Sequence, residues 1–256
     1  MLNAGTVTHL VVFLIYAAIA YWATKAARGG RYFPLKKLAG LDAIEECNGR
    51  ATELGRPFQC TIDNGGAQLE DQVMATFELV RFAAASAVRY EAPFMVVSNS
   101  PEGHPIFEEI VSTAYVAGGK ADLYRPDMVR FIGGYSSATH VQIMQLMRDQ
   151  KIAAQLIAGN LMNQTMFYAE TGAALGAIQI GATKNTHQMP FIAMQCDYTL
   201  MGDELYAAAT MISRDPLRMG ILVAQEGGKL FCLVIIIAGV IFRLAGSTAL
   251  VDILTK

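Results

Sequence analysis

A set of short polar stretches carries the residue types that bind small molecules: Ser98, Asn99 and Ser100 with His104 close behind, Gly133, Gly134, Tyr135 and Ser136, Gly159 and Asn160, Gly181, Ala182 and Thr183, and Asp197. Each of the first four lies next to an apolar run. Small side chains leave backbone N–H groups open at the start of a following helix, and hydroxyls and amides add further donors. That is chemistry for an anionic or nucleotide-like ligand. The candidate ligand contacts are Ser98, Asn99, Ser100, Gly133, Gly134, Ser136, Asn160, Thr183 and Asp197. Turns and helix caps need the same residue types with no ligand at all, so both readings stand.

The motifs that would narrow the chemistry are missing. The chain has no GxxxxGK[ST], no GxGxxG after an apolar run and no GxSxG. His9 lies in an apolar N-terminal stretch, and His104, His140 and His187 have no ligand spacing, so a structural or surface role is expected for each. Glu45-Glu46 and Glu108-Glu109 are neighbours on helical patterns, where adjacent side chains diverge. Glu170 sits in the apolar stretch MFYAETGAAL and needs a partner if it is buried. Cys47, Cys60, Cys196 and Cys232 have no CxxC spacing and read as free, mostly buried thiols in a reducing compartment. No catalytic residue, metal site or cofactor is expected.

Helices and strands alternate between residues 41 and 213. A helical pattern over 41–54 stops at Gly55-Arg56-Pro57, a strand covers 58–62, and Asp63-Asn64-Gly65-Gly66 turns the chain. Leu69, Val73, Phe77, Val80, Ala84 and Val88 then repeat on one helical face. Further strands are expected at 94–97, 129–132, 152–158, 177–181 and 191–195, the last opened by Pro190. Between them lie helices starting near Pro105, at a cap on Ser136 or Ser137, and near Met162; a final one starts near Asp203. Nearly all-apolar strands alternating with helices indicate a sheet buried on both faces. The expected fold is α/β: about six mostly parallel strands with helices on both faces, Rossmann-like. In such sheets ligands bind beyond the strands' carboxyl ends, where the polar stretches fall.

The ends of the chain have a different character. Residues 6–24 contain no charged side chain, and Lys25, Arg28, Arg31, Lys36 and Lys37 follow. Length near the roughly 20 residues of a membrane helix, with basic residues only after the stretch, indicates an uncleaved anchor with its N-terminus outside. Tyr21 and Trp22 fall where an inner aromatic belt is expected. A second apolar run, from Leu230, is interrupted by Arg243, which can snorkel toward the headgroups. The expected organisation is a transmembrane helix over 1–24, a basic juxtamembrane linker over 25–40, the α/β domain over 41–213, a juxtamembrane helix over 214–229 and a transmembrane helix over 230–252. A monotopic second segment is the alternative.

Composition fits a membrane protein: mean hydropathy is +0.33 and 16% of residues are charged, below the roughly 25% of soluble domains. A net charge of −2 gives no electrostatic reason for a nucleic-acid partner. The stretches GLDAIEECNGRATELGRP, PIFEEIVSTAYVAGGKAD, VRFIGG and above all AIQIGATKNTHQMPFIAMQCDYTLMGDELYAAA resemble a prokaryotic family labelled only as a domain of unknown function. That resemblance implies a membrane protein of this layout and carries no catalytic residues across.

Two functions compete on these grounds. One is a scaffold at the cell membrane, its domain on the cytoplasmic face, self-associating through the small faces at Ala83–Ala87 and Ala207–Ala209. Its partners are the lipid bilayer, copies of itself and other membrane proteins. The other is a membrane-tethered sensor or enzyme that binds a nucleotide-like ligand at the strand ends.

Overall fold

The strands form one sheet with all neighbours parallel, ordered β3-β2-β1-β4-β5-β6. The computed structural model describes residues 4–29, 37–65 and 69–244. The strands are β1 (Phe58–Asp63), β2 (Phe94–Ser98), β3 (Val129–Phe131), β4 (Ala154–Gly159), β5 (Ile178–Thr183) and β6 (Tyr198–Met201). The helices of this unit are α2 (Ala39–Leu54), α3 (Asp71–Tyr90), α4 (His104–Ala117), α5 (Ser137–Gln150), α6 (Thr165–Ala174), α7 (Met189–Gln195) and α8 (Asp203–Ser213). They follow α1 (Ala4–Arg28) and precede α9 (Pro216–Leu244), which belong to a second unit. The sheet order is that of the Rossmann fold, in which the direction of winding reverses between β1 and β4.

Side chains alternate across the sheet, and the two faces are chemically different. Phe58, Cys60 and Ile62 join Phe94, Val96, Leu156, Ile180 and Leu200 in one apolar cluster with residues of α2, α3, α4 and α8. On the other face β1 presents Gln59, Thr61 and Asp63, all buried. There Met95, Val97, Ile157, Ile143, Met147, Tyr168 and Ile192 form a smaller cluster with α5, α6 and α7. β1 is therefore not the nearly all-apolar strand expected. Gln59, Gln155 and Gln179 also stand side by side on β1, β4 and β5. Gln155 Nε2 donates to Gln179 Oε1 and to the Tyr168 carbonyl. Gly172 of α6 sits over this row, where a Cβ would overlap Gln155 Nε2.

One strand falls elsewhere than the sequence suggests. Residues 191–195 lie in α7, and β6 comes three residues later at Tyr198–Met201. A short apolar run fits either state. Pro190 in the first turn favours helix, and the burial is one-sided: Ile192 is buried while Met194 is 83% exposed.

The alanines proposed as association faces are mostly inside the fold. Ala83, Ala84, Ala87, Ala208 and Ala209 are buried in the apolar cluster, and only Ala85 and Ala207 retain surface. Small residues here let α3 and α8 lie close together. Glu170 is exposed and needs no buried partner. Cys47 and Cys60 are buried, Cys196 is half-buried and Cys232 is exposed, all as free thiols.

The second unit comprises residues 1–35 and 214–256. Within it α1 and α9 run antiparallel. A Cβ at Gly220 would crowd Thr24, one at Gly227 would touch Ile19, and one at Gly228 would crowd Tyr16. Residue numbers thus fall along α1 as they rise along α9. The juxtamembrane helix expected over 214–229 and the start of the second apolar segment form one continuous helix, α9. Among the described residues, one helix is long and apolar enough to cross a membrane, Pro216–Ile241, with mean hydropathy 1.9. The N-terminal stretch is helical, and its helix continues to Arg28. It is not a second such candidate among the described residues. Arg31, Lys36, Gly66 and the segment 245–252 lie outside the described residues, as do the side chains of His9 and Arg243.

Candidate functional site

Asp63 ends β1 at the position where the winding reverses, with no exposed surface. A buried carboxylate is costly unless its lone pairs are met, and here they are. Oδ1 accepts from Asn99 Nδ2 at 2.8 Å and from the Gly65 N–H at 2.8 Å. Oδ2 accepts from Gln164 Nε2 at 2.8 Å and lies 3.4 Å from the Tyr168 hydroxyl. The donors come from the end of β2, the turn after β1, the approach to α6 and α6 itself. Asp63 therefore ties together loops distant in sequence.

The network continues outward. Tyr168 Oη lies 2.7 Å from His140 Nδ1 on α5, and the Tyr135 hydroxyl donates to Gln164 Oε1 at 3.2 Å. The His140 ring meets Tyr135 and Tyr168 edge to face, at centroid distances of 5.1 and 5.9 Å. The Tyr168 hydroxyl has one proton, so it serves one acceptor at a time. With Nδ1 bare, it donates to His140. With Nδ1 protonated, His140 donates to the phenol oxygen and the phenol proton turns to Asp63. Burial, then the charge of Asp63, pushes the Tyr168 phenol far up, so it stays protonated. The same two causes raise Tyr135. The Tyr168 hydroxyl thus stands between the buried Asp63 carboxylate and a half-exposed imidazole, with one proton that can serve either.

The flanking loops close around this centre. Asp63 pairs with Gly159 across β1 and β4. Gly159 has φ +118, and a Cβ there would overlap the Asp63 carbonyl oxygen, so the two strand ends touch backbone to backbone. Asn160 packs its carbonyl and amide against Gly65. Thr183 Oγ1 donates to the Gly159 carbonyl at 2.9 Å and accepts from the Asn185 N–H. The first turn of α3 carries Asp71, with Glu70 just before it. Asp71 pairs with Lys184 and accepts from the Tyr206 hydroxyl at 2.7 Å. Burial opposes ionisation of Asp71, but the bonds from Lys184 and Tyr206 outweigh it and hold its carboxyl below the usual value.

The candidate contacts divide into three groups. Asn99, Asn160 and Thr183 lie at the ends of β2, β4 and β5, Asn99 bonded to Asp63 and the other two against its neighbours Gly65 and Gly159. Ser98, Ser100, Gly133, Gly134 and Ser136 shape turns. Ser98 Oγ accepts from the Ser100 N–H, Ser100 Oγ accepts from the Gly103 N–H, and Ser136 caps α5 by accepting from the Thr139 N–H at 3.2 Å. Gly133 adopts φ +54 beside Thr139. Asp197 is at the other end of the sheet: it precedes β6 and accepts from the Gln179 N–H at 2.8 Å, where β5 begins. Its expected place at a carboxyl end followed from putting the strand at 191–195.

The centre of the site, Asp63 with Gln164, Tyr168 and His140, is absent from the sequence candidates. One signal for it exists. Gln59, Thr61 and Asp63 are polar at every second position of a strand that must be buried. Among the described residues no group of three His, Cys, Asp or Glu side chains is placed to hold a metal ion.

No curated protein and no solved structure matches the chain. The family model described as "Domain of unknown function (DUF6754)" matches residues 1–254, and the chain belongs to that family.

Proposed function

We propose that the protein is a membrane-tethered α/β domain that binds a small neutral or cationic polar ligand at the carboxyl ends of β1 and β4. The observation that carries this reading is the buried network centred on Asp63. A core gains nothing in stability from such a network over apolar packing, and fully satisfied polar networks of this kind serve to fix geometry. The network fixes Tyr135 and His140 at the rim, beside the position where open α/β sheets take their ligands.

The charge of the site selects the ligand class. In dinucleotide-binding sheets the pyrophosphate rests on the helix that follows the first strand. Here that helix begins with Glu70 and Asp71, of which only Asp71 is paired with Lys184, and Asp63 lies beneath. Negative charge at this helix start disfavours phosphate, which speaks against a nucleotide. A hydroxyl, amide or ammonium group suits the Tyr135 hydroxyl, His140 and the nearby carboxylates.

Tethering rests on α1 and α9. Their antiparallel packing brings Lys25 and Arg28 to the same end as Arg214 and Arg218. Basic residues at one end of an apolar hairpin favour the cytoplasmic side for that end. A thermal-shift screen of the full chain in detergent tests the ligand. Polar amines, polyols and amides should include compounds that raise Tm by several degrees, and nucleoside phosphates should not. Stabilisation by nucleotides alone would overturn the assignment.

A further inference from the structure

We infer that lipid hydrocarbon begins at the level of Tyr16 and Lys229, so that α1 and α9 enter the bilayer together by only part of their length and the lower half of the hairpin stands outside it. This rests on the membrane tether proposed above and fixes its depth. The antiparallel packing makes the two helices share levels: Thr24 with Gly220, Ile19 with Gly227 and Tyr16 with Gly228. Whatever depth one helix reaches, its neighbour reaches too.

Along those shared levels the last exposed charges are Glu226 and Lys229. Below Gly228, α9 carries Arg218, Gln225 and Glu226, and α1 carries Lys25 and Arg28. Lys229 pairs with Glu226 at 2.8 Å, and their side chains are 49% and 62% exposed. An exposed ion pair belongs in water or among headgroups and not in hydrocarbon. Above that level Leu10, Val12, Phe13 and Ile15 on α1 and Leu233, Val234, Ile236 and Ile241 on α9 are all exposed, and their spacing spreads them over more than one side of each helix. Apolar side chains exposed all round are what a lipid environment requires. Tyr16, 44% exposed, stands at the change of character, where a headgroup-level aromatic is expected.

The consequence differs from the sequence reading of α1. Residues 17–24 are uncharged, yet the levels they share with α9 end at the exposed Glu226–Lys229 pair, which keeps them outside the hydrocarbon. Trp22 is six residues below Tyr16, about 9 Å along the helix. Phe13 is three residues above it, about 4.5 Å into the hydrocarbon.

The chain has one tryptophan, which makes depth measurable. The full-length protein is reconstituted into phosphatidylcholine vesicles with brominated acyl chains, and emission is compared with unbrominated vesicles. Wild-type Trp22 should keep its emission and be quenched by aqueous iodide. Trp22→Phe/Phe13→Trp should lose more than half its emission to bromine and resist iodide. Trp22→Phe/Leu233→Trp repeats the test from α9 should the first variant fail to reconstitute. Bromine quenching of Trp22 as strong as at position 13 would overturn the depth while leaving the tether intact. If positions 13 and 233 escape bromine, lipid is not what covers this surface, and the tether falls with the depth; resistance to iodide as well would identify a second protein copy as the cover.

Discussion

Replacing Asp63 by Asn keeps the shape of the side chain and removes what its neighbours need. Each carboxylate oxygen faces donors: Asn99 Nδ2 and the Gly65 N–H on one side, Gln164 Nε2 and the Tyr168 hydroxyl on the other. An asparagine has one acceptor oxygen, so its amide NH2 points either at two donors, Asn99 Nδ2 and the Gly65 N–H, or at one donor, Gln164 Nε2, beside the Tyr168 hydroxyl, which can accept. One or two hydrogen bonds to a charged acceptor are lost, at about 1.5–3 kcal/mol each. Removing the buried charge recovers part of this, since desolvating a carboxylate itself costs several kcal/mol. The balance is a destabilisation of about 2–4 kcal/mol. At about 2–4 °C per kcal/mol for a domain of this size, Tm falls by roughly 5–15 °C. Circular dichroism melts of the full chain in detergent measure it. A variant melting within about 1 °C of wild type would refute the argument that Asp63 is a charged hub accepting from all sides.

Further expectations test other parts of the structure. Gly172→Ala places a Cβ against Gln155 Nε2 and 2.7 Å from Gln179 Oε1. Overpacking of about 1–3 kcal/mol should exceed the gain of about 1 kcal/mol from alanine in a helix, so Tm drops instead of rising. Cys47, Cys60 and Cys196 should all resist maleimide in the folded protein. Burial pushes Cys47 and Cys60 far up and Cys196, with help from Asp197, to about 12, so none of them forms thiolate near neutrality; prompt labelling of Cys196 by mass spectrometry would count against this. Asp71 is held below the ordinary aspartate value of 3.8 despite partial burial, chiefly by Lys184 and Tyr206. A lowered folded pKa contributes stability that is present above the unfolded value and is lost as pH falls through the folded one. Lys184→Met should therefore lower Tm at pH 6 and lose that difference as pH falls below the ordinary aspartate value and through the lowered one, as Tm against pH will show.

The fold was legible where local signals agreed. The helical repeat of Val73, Phe77, Val80, Ala84 and Val88 became α3, with Leu69 just before its start, and Ser136 became the cap of α5. Strands β1 to β5 fell within two residues of their expected places at every end. The stretch 189–201 was not legible, because Phe191 to Gln195 is apolar enough for a strand and too short to show a helical period. That single shift moved Asp197 to the wrong end of the sheet. The site was legible only at its rim. Gly, Ser and Asn after strands mark turns whatever their use, whereas the central contacts join Asp63 to Asn99, Gln164 and Tyr168 across 36, 101 and 105 residues. No local pattern encodes contacts at such separations. The alanine faces misled for a related reason: a small residue permits close approach, and sequence does not say whether a helix of the same domain or another copy makes it.

The most direct test of the ligand site uses the four histidines as reporters. Protein labelled with carbon-13 at histidine Cε1 is titrated in detergent with the compounds that stabilise it, and the His140 signal is identified by its loss in His140→Gln. The His140 resonance should move in step with binding while His187, on the exposed loop after β5, stays in place. Saturable stabilisation with an unmoved His140 signal, or movement confined to His187, would contradict a site at the carboxyl ends of β1 and β4.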